Sequence, residues 1–340
     1  MASPKLPTRK IGAAEVTAIG YGAMGIAAAY GDVLTEEERF KVLDTLYELG
    51  CTNWDTADIY LDSEDLIGAW FKRTGKRDDI FLATKFGFTP DPDRPVNGDP
   101  AYVHQAFERS IKRLGVDYVD LYYLHRADPA VPIELTVRAM AELVKQGKVK
   151  YLGLSEVSAD TLRRAHAVHP IAAIQVEYSP FTLDIEDDTI GVLKTARELA
   201  VAVVAYSPLG RGFLTGKYRT FDDLPPDDYR RTVPRYQPDN FPNIVKLADG
   251  LAALAKKYGA TAGQIALAWL LAQGADIVPI PGTTKIPNLK ENLAALNIKL
   301  SPDDVQEVRR IAQAADATHG DRYPTDRMQY IFTDTQPLQE

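Results

Sequence analysis

The sequence predicts an α/β protein folded as one closed parallel (β/α)8 barrel, residues 1–340, behind a short N-terminal hairpin. Strand-like and helix-like segments alternate eight times over about 300 residues, the span expected of such a barrel. No linker or shift in composition interrupts the alternation, which disfavours two separate domains. The ends of several strands also carry polar, chemically capable side chains, as the C-terminal mouth of a barrel would require. A doubly wound sheet is the alternative architecture.

Taken in order, KLPTRKIG and EVTAIGYG can form the hairpin. Strands follow at AIGYG near residue 20, TNWDT at 52, IFLATKF at 80, VDLYYLH at 119, YLGLS at 151, AIQVEY at 173, AVVAYS at 202 and DIVPIP at 276. Helical periodicity fills the gaps at 35–50, 63–73, 101–114, 133–147, 158–168, 187–199, 244–258 with 262–272, and 288–296. The first helix opens on a capping box from Thr35 to Glu38. Two stretches break the pattern: a Pro-rich loop at 208–242, and a tail after 315 carrying GDRYPTDRMQYIF. Long loops in compact barrels usually cover or bind, so the 208–242 loop, emerging on the C-terminal face, should overhang whatever site exists, and residues 316–340 are a candidate cover of a substrate pocket.

Composition narrows the function. The chain is 45% hydrophobic and 25% charged, with a net charge of −8 and no basic cluster. That balance argues against nucleic acid and anionic membranes as partners. MASPKLPTRK has no apolar core of a signal peptide, and IALAWLL at 265–271 is too short to span a bilayer, so a cytoplasmic protein is expected. Cys51 is the only cysteine, which leaves no disulfide and no cysteine-based zinc site; a buried, inert thiol is expected. His166 and His169 stand at i, i+3 and read as a solvated helix end rather than a metal pair. His104 and His319 show no partner in the sequence.

Gly20, Gly22 and Gly25 spell the G-x-G-x-x-G of a dinucleotide turn. The context fails, because Gly25 is followed by IAAAYGD and no helix cap appears before Thr35. These glycines read either as a tight first βα loop close to a ligand or as a plain turn.

The strand ends carry the chemistry. Asp55 closes the second barrel strand, Lys85 the third and His125 the fourth, with Tyr60 on the loop after Asp55. Phe81, Ala83 and Lys85 share one strand face, as do Leu121, Tyr123 and His125, so each polar group ends a mostly apolar inward row. Singly, each has a structural explanation as a cap, a surface cation, a core histidine or a packing ring. Jointly, they form a set of complementary charges at one mouth. A carboxylate such as Asp55 keeps a buried lysine charged, and a charged Lys85 should lower the phenol pKa of Tyr60. Tyr60 could then act as a general acid toward a carbonyl oxygen, with His125 as a neutral donor. The set has no ready nucleophile, so the electrons must come from a partner such as a nicotinamide hydride. Asp58 reads as a cap or loop acid.

Set in CTNWDTADIY, FLATKFGF and RLGVDYVDLYYLHR, this quartet resembles the aldo-keto reductase superfamily from about residue 10 to 315, in particular its pyridoxal reductase-like and perakine reductase-like members. The resemblance implies a TIM barrel that binds NADPH or NADP+ without a Rossmann domain. It also implies Asp55, Tyr60, Lys85 and His125 as the catalytic tetrad, with Tyr60 as proton donor. It places Gly22 and Met24 in the first coenzyme loop, Ser155 and Gln175 at the nicotinamide carboxamide, and Tyr206 stacked on the ring. Ser207, Pro208, Leu209 and Arg211, in SPLGRGF, would wrap the pyrophosphate. Gly282, Thr283, Lys285 and Asn288 would form the 2′-phosphate pocket, where Pro287 suits a first helical turn. Glu291 and Asn292 would meet adenine, or else belong to a solvated helix face. Three departures stand out: many members have Asn at Glu156, Lys at Gly282 and Arg at Asn288.

The implied activity is NADPH-dependent, reversible reduction of a small carbonyl substrate. One alternative is a binding or regulatory role on the same fold and coenzyme, as in potassium channel β subunits. Another is a barrel lyase or isomerase that uses the 283–288 pocket for a substrate phosphate. Loops 26–32, 88–99, 126–131 and 208–242 and the tail would shape the substrate site, with Tyr30, Phe88, Arg126 and Tyr323 as candidate lining residues.

Overall fold

The computed structural model describes residues 5–27 and 34–339. Strands β1 (Thr8–Ile11) and β2 (Ala14–Thr17) form the antiparallel hairpin. Eight parallel strands follow: β3 (Tyr21–Gly22), β4 (Asn53–Asp55), β5 (Phe81–Phe86), β6 (Val119–Leu124), β7 (Val149–Ser155), β8 (Ile171–Glu177), β9 (Ala202–Tyr206) and β10 (Ile277–Pro279). They pair in sequence order from β3 to β10. The Gly20 N–H donates to the Pro279 carbonyl (2.9 Å) and the Gly22 N–H to that of Pro281 (3.3 Å), which closes the first strand onto the last.

All eight predicted strands are present. Helices α1 (Glu36–Glu48), α2 (Ser63–Thr74), α3 (Pro100–Leu114), α4 (Ile133–Lys145) and α5 (Ala159–Val168) match the predicted segments closely. So do α7 (Phe241–Ala255), α8 (Ala262–Ala272) and α9 (Ile286–Ala294). Helix α6 is shorter than expected, running from Val192 to Glu198, because Gly191 before it takes a left-handed φ of 64°. Two helices were not foreseen, α10 (Pro302–Ala315) and the single turn α11 (Thr325–Met328). The start of α10 carried a readable signal: Ser301 accepts from the Asp304 N–H, and Pro302 stands at the first position.

The apolar side chains form two layers. Inside the barrel, Ala83, Leu121, Tyr123, Ala173, Ala202, Val204 and Val278 meet Ile11 and Val16 of the hairpin. The hairpin therefore stops the amino-terminal end of the barrel, and Arg9 pins it by donating to the carbonyls of Gly274 (2.7 Å) and Leu271 (2.6 Å). The opposite strand faces, among them Leu82, Phe86, Tyr122, Leu154, Ile174 and Val203, pack on helical residues such as Phe107, Met140, Leu162 and Trp269. This alternation sends Lys85 inward behind Ala83, as the strand pattern predicted.

Two glycines mark the closure. A Cβ on Gly22 would lie 2.8 Å from the Ile280 oxygen, and one on Gly282 would lie 2.5 Å from the Gly22 oxygen. Side chains are excluded there by the neighbouring strand, a packing cause that the motif reading of Gly22 did not identify. Gly25 lies in a 3-10 turn, Ala23–Ala27, rather than at the opening of an α-helix. Among the described residues, no helix is long and apolar enough to cross a membrane. Burial pushes the Cys51 thiol up to about 12, which suits an inert core residue.

Candidate active site at the strand ends

The site begins with a buried ion pair. β4 is buried along its whole length and delivers Asp55; β5 delivers Lys85, which is fully enclosed. The Lys85 ammonium pairs with Asp55 Oδ1 and donates to the Thr56 carbonyl (2.8 Å) and the Tyr60 hydroxyl (3.5 Å). Asp55 Oδ2 accepts from Gln175 Nε2 at 2.8 Å. Burial alone would strip the lysine of its proton, but Asp55 and Tyr60 outweigh it and hold the pKa above the ordinary value. For Asp55, burial pushes up while Lys85 and Gln175 pull down, with a net rise. We assign carboxylate and ammonium, because three acceptors face the nitrogen and an amide N–H faces the second carboxyl oxygen.

Tyr60 corrects one expectation. Burial raises its pKa, Lys85 opposes, Asp55 adds to the rise, and the net direction is up. One ammonium does not offset the desolvation of a largely enclosed phenol. Tyr60 is therefore a protonated phenol whose ionised form is nonetheless favoured by Lys85. His125 lies beyond it, the two rings 5.7 Å apart and nearly perpendicular. Phe88 stacks edge-on to the imidazole at 4.9 Å. Burial, then Lys85 and Arg126, push His125 well below its usual range, so the ring is neutral. Its Nδ1 is buried without a hydrogen-bond partner among the described residues.

The loop that carries Tyr60 is clamped from behind by Arg113 of α3, a residue that sequence reasoning missed. Its guanidinium donates to the carbonyls of Asp58 (2.9 Å) and Leu61, on either side of the tyrosine. Leu61 takes a left-handed φ of 44°, and it and Ile59 are exposed large apolar side chains at the mouth. Asp58 is not a helix cap. Its N–H donates to the Lys85 carbonyl (3.0 Å), its Oδ1 is buried without a partner, and burial, reinforced by Glu64, pushes its carboxyl up to about 7.

The residues expected around a coenzyme ring lie on adjacent strands, with Ser155 opposite Gln175 and Glu177 opposite Tyr206. Ser155 Oγ accepts from Arg126 at 3.1 Å. Beyond Tyr206, Ser207, Gly210, Arg211 and Gly212 all have positive φ, so the Ser207-Pro208-Leu209 turn coils tightly. The Arg211 guanidinium faces inward, 3.8 Å from Glu177 and 4.7 Å above the Tyr323 ring. At the far end, the Lys285 N–H and Asn288 Nδ2 donate to Thr283 Oγ1 (3.2 and 3.4 Å) at the start of α9. Glu291 turns toward α8, accepting from Thr261 at 2.7 Å, and Asn292 is buried beside it. Met24 is half-buried in the first loop, while Tyr30 lies outside the described residues.

The tail crosses the same mouth. Arg322 is buried, with its guanidinium 3.0 Å from Glu156, 3.3 Å from Asp184 and 3.6 Å from Glu177. Tyr206 donates to Glu156 at 2.8 Å and lies 3.0 Å, hydroxyl to hydroxyl, from Tyr323. The loop at 208–242 supports the tail: the Arg235 N–H donates to the Asp321 carbonyl (3.1 Å), and Arg235 Nε to that of Gly320 (3.2 Å).

Comparison with known proteins decides the family. The model of the Aldo/keto reductase family matches residues 18–313. The chain belongs to the aldo/keto reductase family. Aldo-keto reductase str7 of Strobilurus tenacellus is 58% identical over 322 residues, covering 93% of this chain and 95% of that one. Aldo-keto reductase yakc [NADP(+)] of Schizosaccharomyces pombe is 49% identical over 338 residues, covering 98% and 99%. Among solved structures, a thermostable aldo-keto reductase, Tm1743, crystallised with the inhibitor epalrestat, superposes with a TM-score of 0.73 at 32% identity; the match covers 90% of this chain and all of that one. The protein is thus an oxidoreductase of an NADPH-using family.

Two of its departures from the aldo-keto reductase pattern, at Glu156 and Gly282, have structural causes, while nothing in the structure explains Asn288. Glu156 is matched to a tail arginine. Glycine at 282 fits a backbone that approaches Gly22 too closely for a side chain. Of the remaining histidines, His104 lies 3.2 Å from Glu142, His319 2.8 Å from Asp316 and His169 Nδ1 3.0 Å from the Pro170 carbonyl oxygen, while His166 Nδ1 accepts from the Ile171 N–H (3.2 Å).

Proposed function

We propose that this aldo-keto reductase reduces an aldehyde or ketone to the alcohol with NADPH, reversibly, and that Tyr60 gives the proton to the carbonyl oxygen. The observation that carries this reading is the Lys85 ammonium held between the Asp55 carboxylate and the Tyr60 hydroxyl. NADPH, when bound, supplies the hydride. Tyr60 holds the proton, and Lys85 stabilises the phenolate left after transfer. Neutral His125, packed against Tyr60 and Phe88, orients the carbonyl oxygen without competing as an acid.

The donor set suits the coenzyme. Helix α9 starts at Lys285 with no side chain capping its free amides, and the Lys285 ammonium has no acid partner among the described residues. Together with Thr283 and Asn288 these groups suit a 2′-phosphate. Ser155, Gln175 and Tyr206 would hold the ring, and the amides of the coiled 207–212 turn suit a pyrophosphate. Arg211 is turned toward Glu177 and Tyr323, so the backbone of that turn is the better pyrophosphate ligand. We read residues 316–339 as the cover of the substrate pocket, with Tyr323, Phe88 and Arg126 on its walls.

The test is a panel of aldehydes, ketones and quinones with NADPH, followed at the absorbance band of reduced nicotinamide. Consumption that depends on substrate supports the reading. No turnover across the panel, with NADPH bound, would instead favour a binding role on the same fold.

A further inference from the structure

We infer that Arg322 is a positioning residue: acting through Glu156 it fixes the Tyr206 hydroxyl, so that seating of the C-terminal segment and binding of the coenzyme ring are coupled. The coupling to coenzyme rests on the reading of Tyr206 as the ring platform; the latch itself rests on geometry alone.

Glu156 lies at the centre. It is fully buried and holds a left-handed φ of 50°, a conformation that costs a non-glycine residue on the order of 1 kcal/mol or more unless its surroundings impose it. Its Oε1 accepts from three separate elements: the Glu177 N–H at the end of β8 (3.0 Å), the Tyr206 hydroxyl at the end of β9 (2.8 Å) and the Arg322 guanidinium of the tail (3.3 Å). The tail also binds the backbone of the same residue. The Thr333 N–H donates to the Glu156 carbonyl (2.9 Å), and the Ser158 N–H donates to that of Thr333 (3.1 Å). One residue at the strand ends therefore senses the tail through both its carboxylate and its main chain, and passes that contact to Tyr206.

The energetics favour a two-position device over a loose one. Arg322 is 3% exposed, and a buried guanidinium is tolerated only beside acids. If the tail lifts, Glu156 loses the arginine that hydrogen-bonds it and keeps Arg126 as a nearby cation, and the hydrogen bond that orients Tyr206 must rearrange to compensate. Thermodynamic reciprocity then requires that whatever a fixed Tyr206 contributes to coenzyme binding be returned as stability of the seated tail.

The experiment uses the full chain and compares Arg322→Met with Arg322→Lys. NADPH affinity is read from quenching of protein fluorescence, and tail seating from hydrogen exchange over residues 316–339. Arg322→Met is expected to weaken NADPH binding about tenfold, within the usual range of coupling between sites. Arg322→Lys should recover part of that loss. NADPH should slow exchange of tail amides in the parent protein but not in Arg322→Met. Unchanged NADPH affinity in a folded Arg322→Met protein, even with a lower melting temperature, would make the residue merely structural and overturn the proposal. So would tail exchange indifferent to NADPH in the parent. If Arg322→Met does not fold, the test passes to Arg322→Lys, whose NADPH affinity should fall below the parent's and whose parent-like affinity would overturn the proposal, and to tail exchange in the parent with and without NADPH. Tyr206→Ala separates the readings: unchanged NADPH affinity there rejects the ring platform, while faster tail exchange in Arg322→Met without NADPH still supports the latch and unaltered exchange rejects it.

Discussion

The Lys85 ammonium lies 3.5 Å from the Tyr60 hydroxyl while its other side pairs with Asp55, so the phenol is the only one of these partners with a proton to give. Replacing Tyr60 by Phe removes that proton and leaves the ring in place. Carbonyl reduction should fall by at least about 10² to 10⁴, while NADPH affinity, measured by fluorescence titration, stays within about twofold. Normal turnover in this variant would mean that another group donates.

Breaking the buried pair should cost stability. Lys85→Met leaves Asp55 enclosed with only Gln175 beside it, and a loss of about 3–5 kcal/mol is expected in denaturant unfolding. The double variant Asp55→Asn/Lys85→Met should recover much of it, because no uncompensated charge remains. Equal losses in both would show that packing, not charge, dominates.

Lys285 tests the far end of the proposed coenzyme site. Lys285→Ala should weaken NADPH about tenfold, the loss expected of one hydrogen bond to a charged group, and leave NADH nearly unchanged. Equal effects on the two would remove the 2′-phosphate role.

Asp58 gives a pH dependence with a definite sign. Its carboxyl is harder to ionise in the fold than in the unfolded chain, with a pKa near 7 against an ordinary 3.8. Between those values the folded protein holds the extra proton, so this group's contribution to stability declines as pH rises through the window and levels off above it. Asp58→Asn should flatten that decline and make the variant more stable than the parent at pH 8, by at most about 4 kcal/mol. Melting curves from pH 5 to 8 read the difference directly; parallel curves would refute it.

Much of this was legible in the sequence because strands have period two. Lys85 follows Ala83 and Phe81, and His125 follows Tyr123 and Leu121, so the inward face announced itself. The capping box at Thr35 marked α1 for the same local reason. Long-range facts were hidden. Gly22 and Gly282 are small because the first and last barrel strands meet there, 260 positions apart along the chain. Nothing near Glu156 in the sequence points to Arg322, 166 positions away. The rise in the Tyr60 pKa was missed because enclosure, unlike a neighbouring charge, leaves no mark on a short motif.

The hairpin at the base of the barrel has a consequence for traffic. With Ile11 and Val16 stoppering one end and Arg9 bolting the stopper down, the described residues leave the strand-end mouth as the open side of the barrel. On the proposed reaction, reactant, alcohol and spent dinucleotide would then share one threshold, where residues 316–339 rest, and departure of the last occupant would be the natural place for turnover to be throttled.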